Sequence, residues 1–179
     1  MHDHKLPGLA RALDDEGMRR MLSVHLAWTM GSETITQLRP QVLKHVPGKR
    51  CVIEYWLALN GKPRRVIGKL YRENRGAKIF RHLQNLWDAV QSHDHTETFF
   101  GMRQPLAYLP ELGMVLQEAV PGQPLQSCPA PKDLPGALRC VARNLAILHG
   151  LVVASAEPKR LHDHVNKYCR PGPEAACRH

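Results

Sequence analysis

Long apolar runs are missing from this 179-residue sequence. A helix that crosses a bilayer needs roughly 20 consecutive apolar residues, and no stretch of the sequence approaches that length. The opening residues, Met1 to Gly8, have no apolar stretch that could serve as the core of a signal peptide. These absences predict a soluble protein of the cytoplasm with no membrane partner.

A pairing pattern is lacking among the cysteines. The five cysteines are scattered, with no CxxC pair among them, which argues against a disulfide framework and favours free thiols. A zinc site could combine His162, His164, Cys169, Cys177 and His179, because imidazole and thiolate are ligands that suit zinc. These residues lie in or beside a tail that contains proline and glycine, so we prefer the interpretation without a metal.

Acidic residues are outnumbered by basic ones. The chain has 25 Lys and Arg against 16 Asp and Glu, which gives a net charge of +9. Such an excess favours a nucleic acid, an anionic membrane surface or a ligand that carries phosphate. The cations are isolated doublets rather than one dense run with aromatics interleaved, so nucleic acid is only a third hypothesis.

The hydrophobic pattern predicts alternating blocks of helix and strand. Predicted helices cover residues 14–27, 76–90 and 133–150, and predicted strands cover residues 34–46, 51–59, 65–71, 105–109 and 113–120. Asn60-Gly61 predicts a hairpin turn between the second and third strands, and Pro40 predicts an interruption of the first strand. This order is typical of an α+β fold.

Specific residues fall at particular points in this order. Lys69 lies near the end of the third strand, and strand alternation puts Ile67 and Lys69 on the same face. The fifth strand runs into a Glu-x-x-x-Gly-x-x-Leu segment that begins at Glu118, and the third helix ends in Leu-Ala-x-Leu-His at His149. In their order and spacing, residues 14–150 resemble the aminoglycoside-phosphotransferase and choline-kinase superfamily.

The resemblance implies a protein-kinase-like amino-terminal lobe at residues 34–120, made of a five-stranded antiparallel sheet and a helix. A helical extension at residues 1–33 would precede it. A hinge linker and the truncated start of a helical carboxy lobe would follow at residues 121–179. The implied function is ATP-dependent phosphorylation of a small hydroxylated substrate, with magnesium as the metal.

The resemblance also implies roles for individual residues. Lys69 would hold the α- and β-phosphates, and Ile67 would contact the adenine. Gly48 and its neighbours would cover the phosphates. The backbone of Glu118 and Val120 would form hydrogen bonds with the adenine edge.

Three parts of the family pattern are absent from the sequence. No segment matches the catalytic His-Gly-Asp-x-His-x-x-Asn loop, and no GxGxxG precedes Lys69. Residues 76–87 contain no acid, which leaves Glu73 or Asp88 as the acidic partner that a kinase lysine usually has. We therefore expect a truncated lobe that binds nucleotide and does not transfer phosphate.

Other interpretations stay open. The chain could be a non-catalytic binding or regulatory module that keeps the sheet. The apolar face of residues 134–151 predicts either a missing carboxy-lobe chain as partner or self-association. Trp56, Trp87 and the apolar stripe of the helix at residues 76–90 are expected to lie in the core.

Overall fold

The computed structural model describes residues 3–27, 33–73, 75–92, 102–121 and 134–151. In chain order these form helices α1 (Leu9–Ala12) and α2 (Asp15–His25), strands β1 (Ile35–Val46), β2 (Arg50–Leu59) and β3 (Lys62–Tyr71), helix α3 (Arg75–Ser92), strands β4 (Pro105–Leu109) and β5 (Met114–Glu118), and helix α4 (Leu134–Gly150). The strands form one five-stranded antiparallel sheet in the order β1-β2-β3-β5-β4. The predicted α+β class is therefore confirmed.

The β2–β3 hairpin closes at the predicted turn. Leu59 pairs with Lys62, so the loop between the strands has only two residues. Asn60 and Gly61 have φ angles of +48° and +83°, and two successive positive φ angles match the twist of the flanking strands. This turn fixes the register of β2 against β3, and with it the face on which each side chain lies.

Strand β1 runs through Pro40 without the interruption that the sequence analysis expected. Proline lacks an N–H group and would cost a hydrogen bond in a strand that is paired on both sides. Strand β1 pairs only with β2 and forms an edge of the sheet. An edge strand accommodates proline because half of its N–H groups have no neighbouring strand to bond.

One face of the sheet and the amino-terminal helices enclose the core. Alternate residues of β2 are buried on this face: Cys51, Ile53, Tyr55, Leu57 and Leu59. Leu9, Met18 and Leu22 of the helices belong to the same buried cluster. The Tyr55 hydroxyl donates a hydrogen bond to the carbonyl of Ala12 at 2.9 Å. The helices before residue 33 therefore share one hydrophobic core with the strands.

Helix α3 packs on the opposite face of the sheet, at the β4 edge. The ring of Phe80 lies 6.4 Å from the ring of Tyr108, with an angle of 27° between the planes. Of the apolar stripe predicted for the core, Val90 alone is buried, and Ile79, Phe80, Leu83, Leu86 and Trp87 are half-buried. The prediction that this stripe lies in the core is therefore confirmed only at Val90. The sheet covers only one side of α3, so the other residues of the stripe stay partly exposed.

Helix α4 exposes its apolar face. Leu134, Leu138, Val141 and Leu145 are 48 to 56% exposed, and no residue of the helix is buried. That a missing carboxy-lobe chain or self-association covers this face stays a prediction. None of the helices in the described ranges is both long enough and apolar enough to cross a membrane.

The core leaves no room for a side chain at Gly68. A Cβ at this position would lie 2.7 Å from Met114 Sδ and 2.7 Å from Tyr55 Cε2. Both neighbours are fully buried, so neither can move aside freely. We expect Gly68→Ala to lower the free energy of unfolding by about 1–3 kcal/mol, the usual cost of overpacking, as measured by urea denaturation.

The control for this substitution is Gly150→Ala. A Cβ at Gly150 would meet nothing within 4 Å, so the free energy of unfolding should stay within about 0.5 kcal/mol of the wild type. Equal effects of the two substitutions would contradict the packing described for Gly68.

Candidate functional site

A cavity of about 570 Å³ opens on the face of the sheet opposite the core. It is lined by Leu43, Glu54, Arg65, Ile67, Lys69, Met102, Arg103, Gln117, Glu118, Ala119 and Val120. Strand register explains how these residues meet: Ile67 of β3 lies between Glu54 of β2 and Gln117 of β5. Of the residues predicted from the sequence, Ile67, Lys69, Glu118 and Val120 line this one cavity.

Lys69 has a neutral partner. Its Nζ donates a hydrogen bond to Oε1 of Gln117 at 2.8 Å. Burial lowers the pKa of Lys69, and the charge of Arg50 lowers it further. Within the part of the chain that the structure describes, Lys69 forms no ion pair.

The acidic partners considered for Lys69 lie elsewhere. Glu73 forms an ion pair with Arg72, with 3.0 Å between Oε1 and Nε. Asp88 is exposed on α3, and in the described ranges its carboxylate forms no ion pair. A glutamine from β5, 48 positions along the chain, holds the ammonium instead. The sequence pattern did not indicate this partner, because a kinase lysine usually pairs with an acid on the helix and not with a glutamine on the fifth strand.

Arg65 is fixed at the cavity wall by two contacts. Its Nη1 lies 3.3 Å from Oε1 of Glu54, which is 8% exposed, and its guanidinium carbon lies 5.3 Å from the ring centroid of Trp56. The second contact is a cation–π interaction. Trp56 is 45% exposed, so the prediction that it lies in the core is wrong. Strand alternation puts Trp56 on the face opposite Tyr55, together with Glu54.

The end of β5 forms one rim of the cavity. The Glu118 N–H donates to the carbonyl of Gln104, and the Ala119 N–H donates to the carbonyl of Arg65, both at 3.2 Å. These bonds hold the backbone in place beyond the strand. Among the described residues, the N–H of Val120 has no acceptor, and Val120 is 62% exposed. Within that part of the chain, the Val120 N–H is a backbone donor without a partner at this rim.

The carboxylate of Glu118 is engaged by two arginines. Its Oε1 lies 2.6 Å from Nη2 of Arg64, and its Oε2 lies 4.0 Å from Nη1 of Arg103. This pairing leaves the backbone of Glu118, rather than its side chain, as the group available to a ligand.

Gly48 lies apart from the other predicted site residues. It occupies the β1–β2 turn with a φ of +67°, and its N–H donates to Oδ2 of Asp3 at 2.8 Å. The same oxygen lies 2.9 Å from Nε2 of His45. His45 pairs with Cys51, which faces the core, so this contact lies on the face away from Lys69. The structure does not bring Gly48 into the cavity.

Metal-binding groups are absent from the described ranges. No group of three or more His, Cys, Asp or Glu side chains there could hold a metal ion. The residues considered for zinc, from His162 to His179, lie outside the described residues.

The contacts of the Asp3 carboxylate lead us to predict that the stability of the fold depends on pH. The N–H of Gly48 is the main cause that lowers the pKa of Asp3 from 3.8 to about 2, and His45 is the next. Because the pKa is lower in the folded state, the charged carboxylate stabilises the fold above about pH 4, and this contribution is lost as the pH falls towards about 2. We expect Asp3→Asn to lower the melting temperature by a few degrees at neutral pH, measured by circular dichroism.

The difference between Asp3→Asn and the wild type should close on acidification. Asp14→Asn is the control, because the Asp14 side chain makes no capping hydrogen bond. A difference in melting temperature that stays constant across the acid range would show that the charge of Asp3 does not stabilise the fold.

No family model matches the chain, and no curated protein matches it.

Proposed function

We propose that residues 34–120 are the nucleotide-binding lobe of a phosphotransferase similar to the aminoglycoside-phosphotransferase and choline-kinase superfamily. The carrying observation is that Lys69, Ile67 and residues 118–120 line one cavity. The topology supports the proposal, because an antiparallel sheet with a helix after its third strand is the arrangement of a protein-kinase-like lobe.

The cavity suits the parts of a nucleotide in their order. Ile67 and Lys69 lie two residues apart on β3 with side chains on one face, a separation of about 6.6 Å. A base packed on Ile67 would have its phosphates at Lys69. The N–H of Val120 would donate to the base, and the carbonyl of Glu118 would accept from it. The phosphates would gain a charge-assisted hydrogen bond from a partly buried ammonium, where electrostatic interactions are stronger than in water.

The proposal is limited to nucleotide binding by this chain. Phosphoryl transfer requires a base that positions the acceptor and residues that bind magnesium. The sequence has no His-Gly-Asp-x-His-x-x-Asn segment, and the described ranges hold no group of side chains that fits a metal ion. We therefore assign no magnesium ligand and no transfer step to these residues. The same observations favour a non-catalytic binding or regulatory module as the second candidate.

Titration calorimetry with ADP tests the proposal. We expect the wild type to bind ADP and Lys69→Met to bind it about 10-fold or more weakly, because a hydrogen bond to a charged group contributes about 1.5–3 kcal/mol. Lys69→Met should weaken the binding of adenosine, which has no phosphate, by less than about twofold, because adenosine would contact Ile67 and the backbone.

Lys62→Met is the matched control. Lys62 is an exposed residue at the start of the same strand and does not line the cavity. No ADP binding by the wild type, or equal losses in the two variants, would refute the proposal. Binding of single-stranded DNA or RNA that weakens steeply with salt would support the nucleic-acid hypothesis instead. Phosphate transfer by the wild type would contradict the limit to binding.

A further inference from the structure

We infer that Gln117 is a positioning residue for Lys69, which holds the ammonium in the cavity without neutralising it and so fits the site to a polyphosphate anion. The identity of the ligand rests on the proposed function. The positions of the two side chains do not, since they follow from the sheet.

Strand pairing brings the two side chains together. Gln117 of β5 lies directly opposite Ile67 of β3, and Lys69 is the next residue of β3 on the same face. Diagonal neighbours across an antiparallel pair are within reach of long side chains. The result is the 2.8 Å hydrogen bond from Lys69 Nζ to Gln117 Oε1. Because both residues lie on paired strands, the bond fixes where the ammonium stands.

The acids that line the cavity are engaged by other cations. Glu54 is paired with Arg65 at 3.3 Å, and Glu118 is paired with Arg64 at 2.6 Å. Lys69 therefore has no carboxylate partner among the described residues. A partly buried cation with no counterion is costly unless an anion arrives. The lowered pKa of Lys69, caused by burial, agrees with this description.

The cavity also offers hydrogen-bond donors that have no partner among the described residues. The amide oxygen of Gln117 is used by Lys69, which leaves the two N–H groups of that amide for a ligand. Together with the N–H of Val120, which has no acceptor among the described residues, these donors favour a ligand with many acceptor oxygens. A nucleoside diphosphate or triphosphate has that character.

Replacing the amide of Gln117 by a carboxylate would add a negative charge next to Lys69. Gln117→Glu keeps the size of the side chain and gives Lys69 an ion-pair partner, so the phosphates would meet a neutralised site. Gln117→Leu removes the acceptor and adds no charge. Gln37→Glu is the control, because it adds the same charge at an exposed position of β1 outside the cavity.

The first measurement compares the binding of ADP and adenosine by calorimetry. Gln117→Glu should weaken ADP binding about 10-fold or more and change adenosine binding by less than about twofold, because only the phosphates meet the new carboxylate. Gln37→Glu should match the wild type. The inference is overturned if the wild type binds ADP and Gln117→Glu binds it equally well.

The second measurement needs no nucleotide. The rate of acetylation of Lys69 by acetic anhydride, followed by mass spectrometry across pH, gives the midpoint at which its amine loses its proton. The charged groups that line the cavity with Lys69 are Glu54, Arg65, Arg103 and Glu118, and Arg50 on β2 also acts on its pKa; all are unchanged in every variant. The midpoint should rise in Gln117→Glu, which adds a carboxylate, and fall in Gln117→Leu, which removes the acceptor.

The two measurements separate the two proposals. Absence of ADP binding by the wild type, together with opposite shifts of the Lys69 midpoint, would refute the nucleotide site and uphold the role of Gln117. Unchanged midpoints in both variants would overturn the role of Gln117 even if ADP binds. Each substitution has its own predicted direction of shift in the midpoint. If one variant does not fold, the other therefore still tests the role of Gln117.

Discussion

The close packing of Tyr55 and Met114 against Gly68 is the contact on which the rest of the structure depends. Strand β3 can lie against the core only because Gly68 has no side chain, since an added Cβ would come within 2.7 Å of both neighbours. Tyr55 is itself anchored to α1 through its hydroxyl. With Gly68 facing the core, alternation sends Ile67 and Lys69 to the opposite face. The cavity is therefore a consequence of how the core is packed.

The charges that line the cavity then determine which kind of ligand it is suited to bind. A half-buried ammonium held by a neutral amide is a poor arrangement for stability, because burial disfavours the charged form and no carboxylate compensates. Local arrangements that oppose stability tend to occur at functional sites, where the ligand supplies the missing interaction. In contrast, Glu54 and Glu118 are matched with arginines and contribute to the walls of the cavity.

Much of the fold could be predicted from the sequence, because its signals are local. The Asn60-Gly61 turn, the apolar alternation of β2 and the helical period of α3 each appear within a short segment. Alternation would also have put Trp56 on the cavity face, although we expected it in the core. Helix α1, with four residues, is too short to show a period. Pro40 was misjudged because the sequence does not show that β1 is an edge strand.

The candidate site was predictable only in part. Ile67 and Lys69 could be predicted from strand alternation, and Glu118 and Val120 from the Glu-x-x-x-Gly-x-x-Leu pattern at the end of the fifth strand. The partner of Lys69 could not, since Gln117 meets it through the pairing of β3 with β5, which local sequence does not reveal. Likewise, nothing near Gly48 in the sequence shows that the carboxylate of Asp3 takes up its N–H.

The central claim is that this cavity binds nucleotide through β3 and the end of β5. Amide hydrogen exchange measured with and without saturating ADP tests it most directly, because it reports on each backbone N–H. The account predicts slower exchange at Val120, whose N–H has no acceptor among the described residues, and at residues 65–69. Protection confined to other parts of the chain, or none under saturating ADP, would contradict it.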